Sequence, residues 1–201
     1  NVAVGYQSLK ANTTATNNVS VGAFSLALNT TGEANTSVGL AAMDANTTGS
    51  NNVALGREAL GGNTTASENT AVGYEASYTN TTGTANVSLG YQALRASTTG
   101  SFNTALGRRA LYSNTTASNN TAVGFKAGNS NTTGTENTFI GSLAGDAITT
   151  SNYNTALGSG ALGADDLGSF STAIGRGTLA NQNYASATNS CNTAVGANAG
   201  E

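Results

Sequence analysis

The chain has 201 residues, a formal net charge of −3 and 8% charged residues, and it lacks Pro, Trp and His. Its charged fraction is far below the roughly 25% usual for globular proteins, and a slightly negative chain is not drawn electrostatically to nucleic acid or to an anionic membrane. The single cysteine, Cys191, excludes an intramolecular disulfide, and no apolar run is long enough for a transmembrane helix. We therefore predict no nucleic-acid partner and no membrane insertion in this segment.

A repeat of 17 residues organises the sequence, and each copy opens on a pentad of the form Asn-Thr/Val-Ala/Ser-aliphatic-Gly. The copies start at Asn1, Asn18, Asn35, Asn52, Asn69, Asn86, Asn103, Asn120, Asn137, Asn154, Ser171 and Asn192. Only the step from Ser171 to Asn192 is longer, because four residues are inserted there. We predict one continuous solenoid, with ten regular coils in residues 1–170 and an irregular coil plus a truncated final coil in residues 171–201.

Each repeat has the pattern of a strand followed by turns when its positions are numbered one to seventeen from the opening Asn. Position two is Thr or Val, position three is Ala or Ser except at Phe139, position four is always aliphatic, and position five is always Gly. Alternation with a period of two predicts a short strand, and the Gly permits a positive φ or the close approach of another backbone. The Asn-Thr-Thr that usually fills positions twelve to fourteen is typical of a turn. About twelve such coils, stacked about 4.8 Å apart, predict an all-β parallel β-solenoid on the order of 55 Å long.

Alternate side chains of a strand point to opposite sides, which sets the expected interior of the solenoid. We expect positions two and four to face inward, so that the aliphatic residues form a continuous buried spine from Val4 to Val195. The Ala or Ser of position three would then face outward, where its small size would let a partner chain approach closely.

The pentad NTAVG, intact at Asn69, Asn120 and Asn192, is followed by a small residue and an Asn-rich turn. This pattern resembles the head-domain repeats of trimeric autotransporter adhesins, and it is similar to repeats of phage tail-fibre-like and bacterial surface fibre proteins. The resemblance implies a left-handed parallel β-roll that packs as a homotrimer. It also implies an extracellular location, at a cell surface or in a virion fibre.

Residues that carry chemistry are few in this sequence. Without His there is no Ser-His or Cys-His pair, and no basic partner for Cys191 is apparent. Asp165 and Asp166 are adjacent carboxylates of the kind that ligate Ca²⁺, but a single pair is more typical of a solvated turn. The doublet Arg108–Arg109 and the scattered tyrosines do not make a nucleic-acid surface. We predict a non-enzymatic protein with no catalytic residue, cofactor or metal.

Sequons of the form N-x-S/T are the sharpest chemical signal. Seven of them place the acceptor at position twelve, on the predicted turn: Asn12, Asn29, Asn46, Asn63, Asn80, Asn114 and Asn131. Glycans on exposed turn asparagines would coat one side of the rod, which makes these seven the candidate glycosylation sites. The alternative is that Asn-Thr-Thr serves only as turn chemistry.

These features favour an extracellular structural or adhesive fibre segment whose function is the repeat stack itself. No distinct polar cap flanks the stack, so we expect either further coils or head-to-tail contacts between copies, which give filaments. The alternative is the shaft or receptor-binding module of a phage tail fibre, with a cell-surface or glycan receptor bound by the irregular C-terminal third. Its candidate contact loop is Gln182, Asn183 and Tyr184.

Regular Thr columns suggest a minor alternative, an ice-binding solenoid. Such a surface requires matched rows of outward-facing Thr, whereas adjacent Thr residues of an extended chain face opposite sides. We therefore expect only one outward row of Thr, interrupted at Leu167.

Overall fold

A computed structural model describes residues 1–200, and its main feature is one long parallel sheet. Twelve three-residue strands supply that sheet, one from each repeat: β1 Val2–Val4, β2 Val19–Val21, β3 Thr36–Val38, β4 Val53–Leu55, β5 Thr70–Val72, β6 Val87–Leu89, β7 Thr104–Leu106, β8 Thr121–Val123, β9 Thr138–Ile140, β10 Thr155–Leu157, β12 Thr172–Ile174 and β14 Thr193–Val195. The short strands β11 Gly168–Ser169 and β13 Thr188–Asn189 pair with each other in a second sheet. Among the described residues there is no helix long and apolar enough to cross a bilayer.

Successive repeats stack in strict register. Val2 lies opposite Val19 at one end of the sheet, and Thr172 lies opposite Thr193 at the other, on the far side of the insertion. Main-chain hydrogen bonds join the coils, as where the Gly22 amide donates to the Val4 carbonyl at 2.8 Å. The predicted all-β parallel β-solenoid of stacked repeats is therefore confirmed.

The turns of each coil depend on left-handed backbone at three positions, and on the Gly of position five. Residues other than Gly at positions seven, nine and seventeen have φ between 48° and 65°, which costs each about 1–2 kcal/mol. The position-five Gly has φ between 124° and 143°. A Cβ at Gly56 would lie 2.6 Å from the carbonyl oxygen of Gly73 in the next coil. Both predicted reasons for that Gly, the positive φ and the close backbone, therefore apply.

The interior contains small side chains and Leu, not the aliphatic column. Position three is buried from Ser20 to Ala173, and the Ala of position eight and the Leu of position nine complete the core. Position four faces the solvent, and Leu89 is 50% exposed. The expected strand orientation was therefore wrong. The interior is narrow at position three, since Ser20 Oγ donates to the Ser25 carbonyl across the coil at 2.8 Å.

Phe139 is the exception at position three, and its neighbours compensate for its size. It is fully buried, and Gly128 and Gly145 occupy the adjoining position-nine sites that usually hold Leu. A Cβ on Gly145 would lie 2.3 Å from the Phe139 ring, and a Cβ on Gly128 would lie 2.5 Å from it. The ring therefore fills the volume that two leucines fill elsewhere.

Both Thr columns of the turn lie at the surface, in contrast to the single row expected. Positions twelve and fifteen are buried, as at Asn46 and Gly49, whereas Thr47 and Thr48 between them are half-buried and exposed. The hydroxyl of Thr47, at position thirteen, donates to the Thr64 carbonyl at 3.0 Å. Position fourteen is exposed in every coil from Thr14 to Thr150. The expectation of a single outward row of Thr was therefore wrong.

Candidate functional site

The largest candidate surface is the row of position-four side chains, which we call the aliphatic stripe. None of its members is buried: Val4, Val21, Val38, Leu55, Val72, Leu89, Leu106, Val123, Ile140, Leu157, Ile174 and Val195. Position two, on the same side of the strand, holds only Val or Thr, so this face of the sheet carries no charge. A contiguous exposed apolar surface of this kind is typical of an interaction site.

The turn asparagines of position twelve form a buried column, which we call the asparagine ladder. Asn46 Nδ2 donates to Asn29 Oδ1 at 2.8 Å and to the Gly49 carbonyl at 3.0 Å, and Asn63 repeats both bonds one coil further on. The seven candidate glycosylation residues belong to this column, and all are buried except the half-buried Asn12: Asn12, Asn29, Asn46, Asn63, Asn80, Asn114 and Asn131. The expected exposure of these residues was wrong. The folded chain does not present the Nδ2 atoms to which a glycan would be attached.

A second buried column, at position one, links the coils through side chain and main chain. The Asn69 amide donates to Asn52 Oδ1 at 2.9 Å, while Asn69 Nδ2 donates to the Gly83 carbonyl at 2.9 Å. The recurrence of Asn at position one in almost every coil is the signal in the sequence for this buried hydrogen-bonding role.

The asparagine ladder is interrupted twice, and unsatisfied atoms mark both places. Ser97 and Ile148 occupy position twelve in their coils. Asn80 Oδ1 and Ser97 Oγ have no hydrogen-bond partner at the first interruption, and Asn131 Oδ1 has none at the second. An unpaired buried polar atom typically costs about 1–3 kcal/mol, so these are weak points of the stack.

The irregular coil uses its polar residues internally. Asp165 is fully buried and accepts hydrogen bonds from the Gly168 amide and from Gln182 Nε2. Asn192 Nδ2 donates to Gln182 Oε1 at 2.6 Å and to the Tyr184 hydroxyl at 2.9 Å. Gln182 and Tyr184 of the candidate contact loop are thus half-buried structural residues, and only Asn183 is exposed. Asp165 does not lie in the solvated turn that the sequence predicted.

An open polar cleft of about 510 Å³ lies beside the small sheet. Its lining comes from the turns of the two coils that start at Asn137 and Asn154 and from the inserted loop: Thr150, Ser151, Asn152, Leu167, Ser169, Ala187, Thr188 and Asn189. Hydroxyl and amide groups dominate this lining, so the cleft suits a neutral polar ligand better than a charged one.

Catalytic and metal-binding groups do not converge in the described part of the chain. No cluster of three His, Cys, Asp or Glu residues within residues 1–200 is arranged to hold a metal ion. Cys191 is exposed, in the loop that precedes β14. Asp166 Oδ1 is buried without a partner among the described residues. The two carboxylate oxygens of the neighbouring Asp165 already accept hydrogen bonds from the Gly168 amide and from Gln182 Nε2. The adjacent carboxylates therefore do not form a cation cage.

A column of stacked cations and aromatic rings runs along the corner at position six, and we call it the Arg–aromatic column. Its members are Arg57, Tyr74, Tyr91, Arg108 and Phe125. Tyr74 and Tyr91 stack with ring centroids 5.3 Å apart, and Arg57 lies 5.6 Å from the Tyr74 ring. The Arg108 guanidinium lies 5.7 Å from both the Tyr91 and the Phe125 ring centroids. Residues scattered through the sequence thus become neighbours through the repeat, which the sequence reasoning missed.

A charged network at positions seven and ten borders this column. Gln92 Nε2 donates to the Glu75 carboxylate at 2.9 Å, Arg95 forms an ion pair with the same carboxylate, and Arg109 Nε donates to Gln92 Oε1 at 3.1 Å. Burial raises the pKa of Glu75, but hydrogen bonds from Arg95, Gln92 and Tyr74 outweigh it and hold that pKa below its ordinary value. Glu75 is therefore ionised and fully engaged at neutral pH.

None of the protein-family models, curated proteins or solved structures compared with this chain matches it. Its proposed function therefore rests on the repeat pattern and on the geometry of the aliphatic stripe, the asparagine ladder, the cleft and the Arg–aromatic column.

Proposed function

We propose that this chain is a non-enzymatic segment of an extracellular structural fibre, in which rods of the same chain pack side by side through the aliphatic stripe. The observation that carries the proposal is that no coil buries its stripe residue, and that seven of the twelve are exposed. Apolar surface removed from water stabilises an assembly by roughly 25 cal/mol per Å². In a single rod the aliphatic stripe stays in contact with water, so this stabilisation is absent.

A second copy of the chain is the partner that fits the stripe best. The stripe offers one aliphatic side chain per coil, and strands repeat at about 4.8 Å. Only another solenoid repeats at the same spacing, so that its side chains fit between those of the first rod over many coils. The strand face has no charge whose desolvation would oppose contact. The resemblance to trimeric adhesin heads favours three copies around a common axis, and it also favours a cell-surface or virion location.

Site-specific cross-linking tests this assembly. In a Cys191→Ser background, Leu89→Cys places a thiol on the stripe, and Thr99→Cys places one on the exposed Thr column as the matched control. A short bismaleimide joins two thiols, so it should give covalent dimers from Leu89→Cys and monomers from Thr99→Cys. Monomers from both variants, or equal oligomers from both, would contradict lateral packing through the stripe.

The cleft beside the insertion supports a second candidate, a receptor-binding module in the irregular C-terminal region. Its hydroxyl and amide lining suits a neutral carbohydrate of a cell surface. Thr188→Tyr would fill the cleft without touching the stripe. Adhesion to host cells that is lost in Thr188→Tyr while rods still assemble would support this candidate, and unchanged adhesion would remove it.

The exposed Thr columns support the minor ice-binding candidate. The position-fourteen hydroxyls, as in Thr65, make no hydrogen bond within the described chain and are free to order water. Thermal hysteresis that disappears on Thr65→Lys would support ice binding. An equal effect from Glu68→Lys, or no hysteresis in the unmodified chain, would exclude it.

A further inference from the structure

Arg108 stands out in the Arg–aromatic column because no carboxylate in the described chain pairs with it. The ion pairs of residues 1–200 are Arg57 with Glu58, at 3.0 Å, and Arg95 with Glu75. Arg108, Arg109 and Lys126, in the two coils that follow, form none. Uncompensated positive charge is therefore concentrated along a short length of one edge.

The local charge opposes that of the whole chain. Between residues 57 and 126, positions six, seven and ten carry five cations (Arg57, Arg95, Arg108, Arg109 and Lys126) against Glu58 and Glu75, a local charge of +3 in a chain whose formal net charge is −3. Asp44 and Asp146, at position ten, lie in the coils before and after this stretch. Burial raises the pKa of Asp146 although Lys126 opposes the shift, and the two groups form no ion pair. A positive edge on a negative rod attracts anionic ligands to that edge.

The geometry around Arg108 leaves its hydrogen-bond donors free. Tyr91 and Phe125, one coil away on either side, place their aromatic rings 5.7 Å from the guanidinium carbon. The N–H groups lie in the guanidinium plane, and none of them has a partner within the described residues. Arg108 is exposed, and Lys126 Nζ lies 5.5 Å from the same Phe125 ring. A held guanidinium with unpaired donors matches the paired oxygens of a carboxylate or sulfate.

We propose that Arg108, with Arg109 and Lys126 beside it, binds the acidic groups of an anionic polysaccharide that lies along the rod. Arg109 and Lys126 occupy position seven of consecutive coils, so their main chains are about one strand spacing apart along the rod, and Arg108 lies beside Arg109. This cluster suits a linear polymer with repeated negative groups. Position six lies beyond the Gly that ends the strand, so the site uses other residues than the aliphatic stripe.

Single-stranded nucleic acid is the other linear polyanion, and the stacking disfavours it. Tyr91 has Tyr74 stacked on it at 15° between ring planes and Arg108 5.7 Å from its centroid. Proteins that bind single strands offer free aromatic faces on which bases stack. Here the protein's own side chains already occupy those faces, so the column offers charge rather than a stacking platform.

Calorimetric titration with dextran sulfate tests the proposal. Uncharged dextran and an oligo-dT with the same total charge as the dextran sulfate are titrated for comparison. We expect dextran sulfate to bind, dextran not to bind, and oligo-dT to bind more weakly. Arg108→Gln should weaken dextran sulfate binding about tenfold, the loss of one charge-assisted contact. Lys126→Gln should also weaken it.

Arg176→Gln is the matched control, because Arg176 is exposed at position six but has Ser159 and Ala197 as column neighbours. It should leave the affinity unchanged. Equal losses in Arg108→Gln and Arg176→Gln would overturn the proposal, as would oligo-dT that binds as tightly as dextran sulfate, or no binding at all. Cross-linking through Leu89→Cys reports on assembly separately, so failure of one proposal does not imply failure of the other.

Discussion

The regular coils of residues 1–136 and the irregular coils of residues 137–200 use the same sheet but different interiors. In the regular part, buried Asn, Ala and Leu recur at the same positions, and the asparagine ladder is interrupted only at Ser97. In the irregular part, Phe139 replaces Ala, Ile148 and Asp165 replace Asn, and an insertion follows. Strands β9 to β14 nonetheless keep their register. The main-chain ladder therefore sets the register, and the buried columns determine how stable each coil is.

The largest expected effect lies in the irregular part, at Phe139. Phe139→Ala should lower the free energy of unfolding by about 4 kcal/mol, because it empties the space left by Gly128 and Gly145. Adding Gly128→Leu and Gly145→Leu should recover most of the loss, since both glycines have the left-handed φ at which Leu60 and Leu94 already lie. Chemical denaturation measures both changes. A triple variant no more stable than Phe139→Ala would contradict the proposed exchange of volume.

The second effect concerns the regular part. Asn63→Ala should cost about 3 kcal/mol, because it removes the donor to buried Asn46 Oδ1 and one of the two hydrogen bonds made by Asn80 Nδ2 and by the Ala66 carbonyl. Asn12→Ala is the matched control: Asn12 is half-buried, and its bonds are longer, at 3.2 and 3.4 Å. It should cost less than about 1 kcal/mol. Equal losses in urea denaturation would show that the ladder does not act as a buried network.

The third prediction repairs an interruption. Ser97→Asn should raise the free energy of unfolding by about 1 kcal/mol, because the new amide can donate to the unpaired Asn80 Oδ1 and accept from Asn114 Nδ2. Ser118→Asn, at the half-buried position sixteen, serves as the control and should give no such gain. A destabilised Ser97→Asn would mean that the ladder geometry is not continuous across this coil.

The smallest effect is a pH dependence of the stability that Glu75 contributes, in the charged network that borders the Arg–aromatic column. The pKa of Glu75 is lowered in the folded chain, so its contribution is present above the ordinary pKa of a Glu and is lost as pH falls through the folded pKa. Glu75→Gln should therefore be less stable than the unmodified chain at pH 7, and the difference should shrink below about pH 4. Glu58→Gln, which breaks only the exposed pair with Arg57, is the control. Thermal melts across pH 3–7 that show a constant difference would contradict this role of Glu75.

The sequence was sufficient for the architecture because its signals are local and repeated. The Gly of position five and the alternation before it specify the strand and its end, and the period specifies the stack. The side facing inward could not be read from the alternation, because Val at position four and Ala at position three are both compatible with a core. The width of the interior decided it, and that width is set by the left-handed turns at positions seven, nine and seventeen.

The candidate sites were harder to predict, because they depend on neighbours one coil away. The asparagines of position twelve suggested exposed turns until the inward direction of the side chains was known. Arg57, Tyr74, Tyr91 and Arg108 are spread through the sequence and become neighbours only in the stack. Comparing residues one period apart, which revealed the strand and the turn, would also have brought these four together at position six, where the variation in residue type hid their contacts.

The proposal that the aliphatic stripe is an assembly surface is tested most directly by the mass of the unmodified chain in solution. Sedimentation equilibrium at micromolar concentration should give a particle of three times the 19.8 kDa chain mass. Leu89→Lys with Leu106→Lys should reduce it to the single-chain mass while the β-sheet signal in circular dichroism is retained. A well-folded, unmodified chain that sediments at 19.8 kDa across the concentration range would contradict the account.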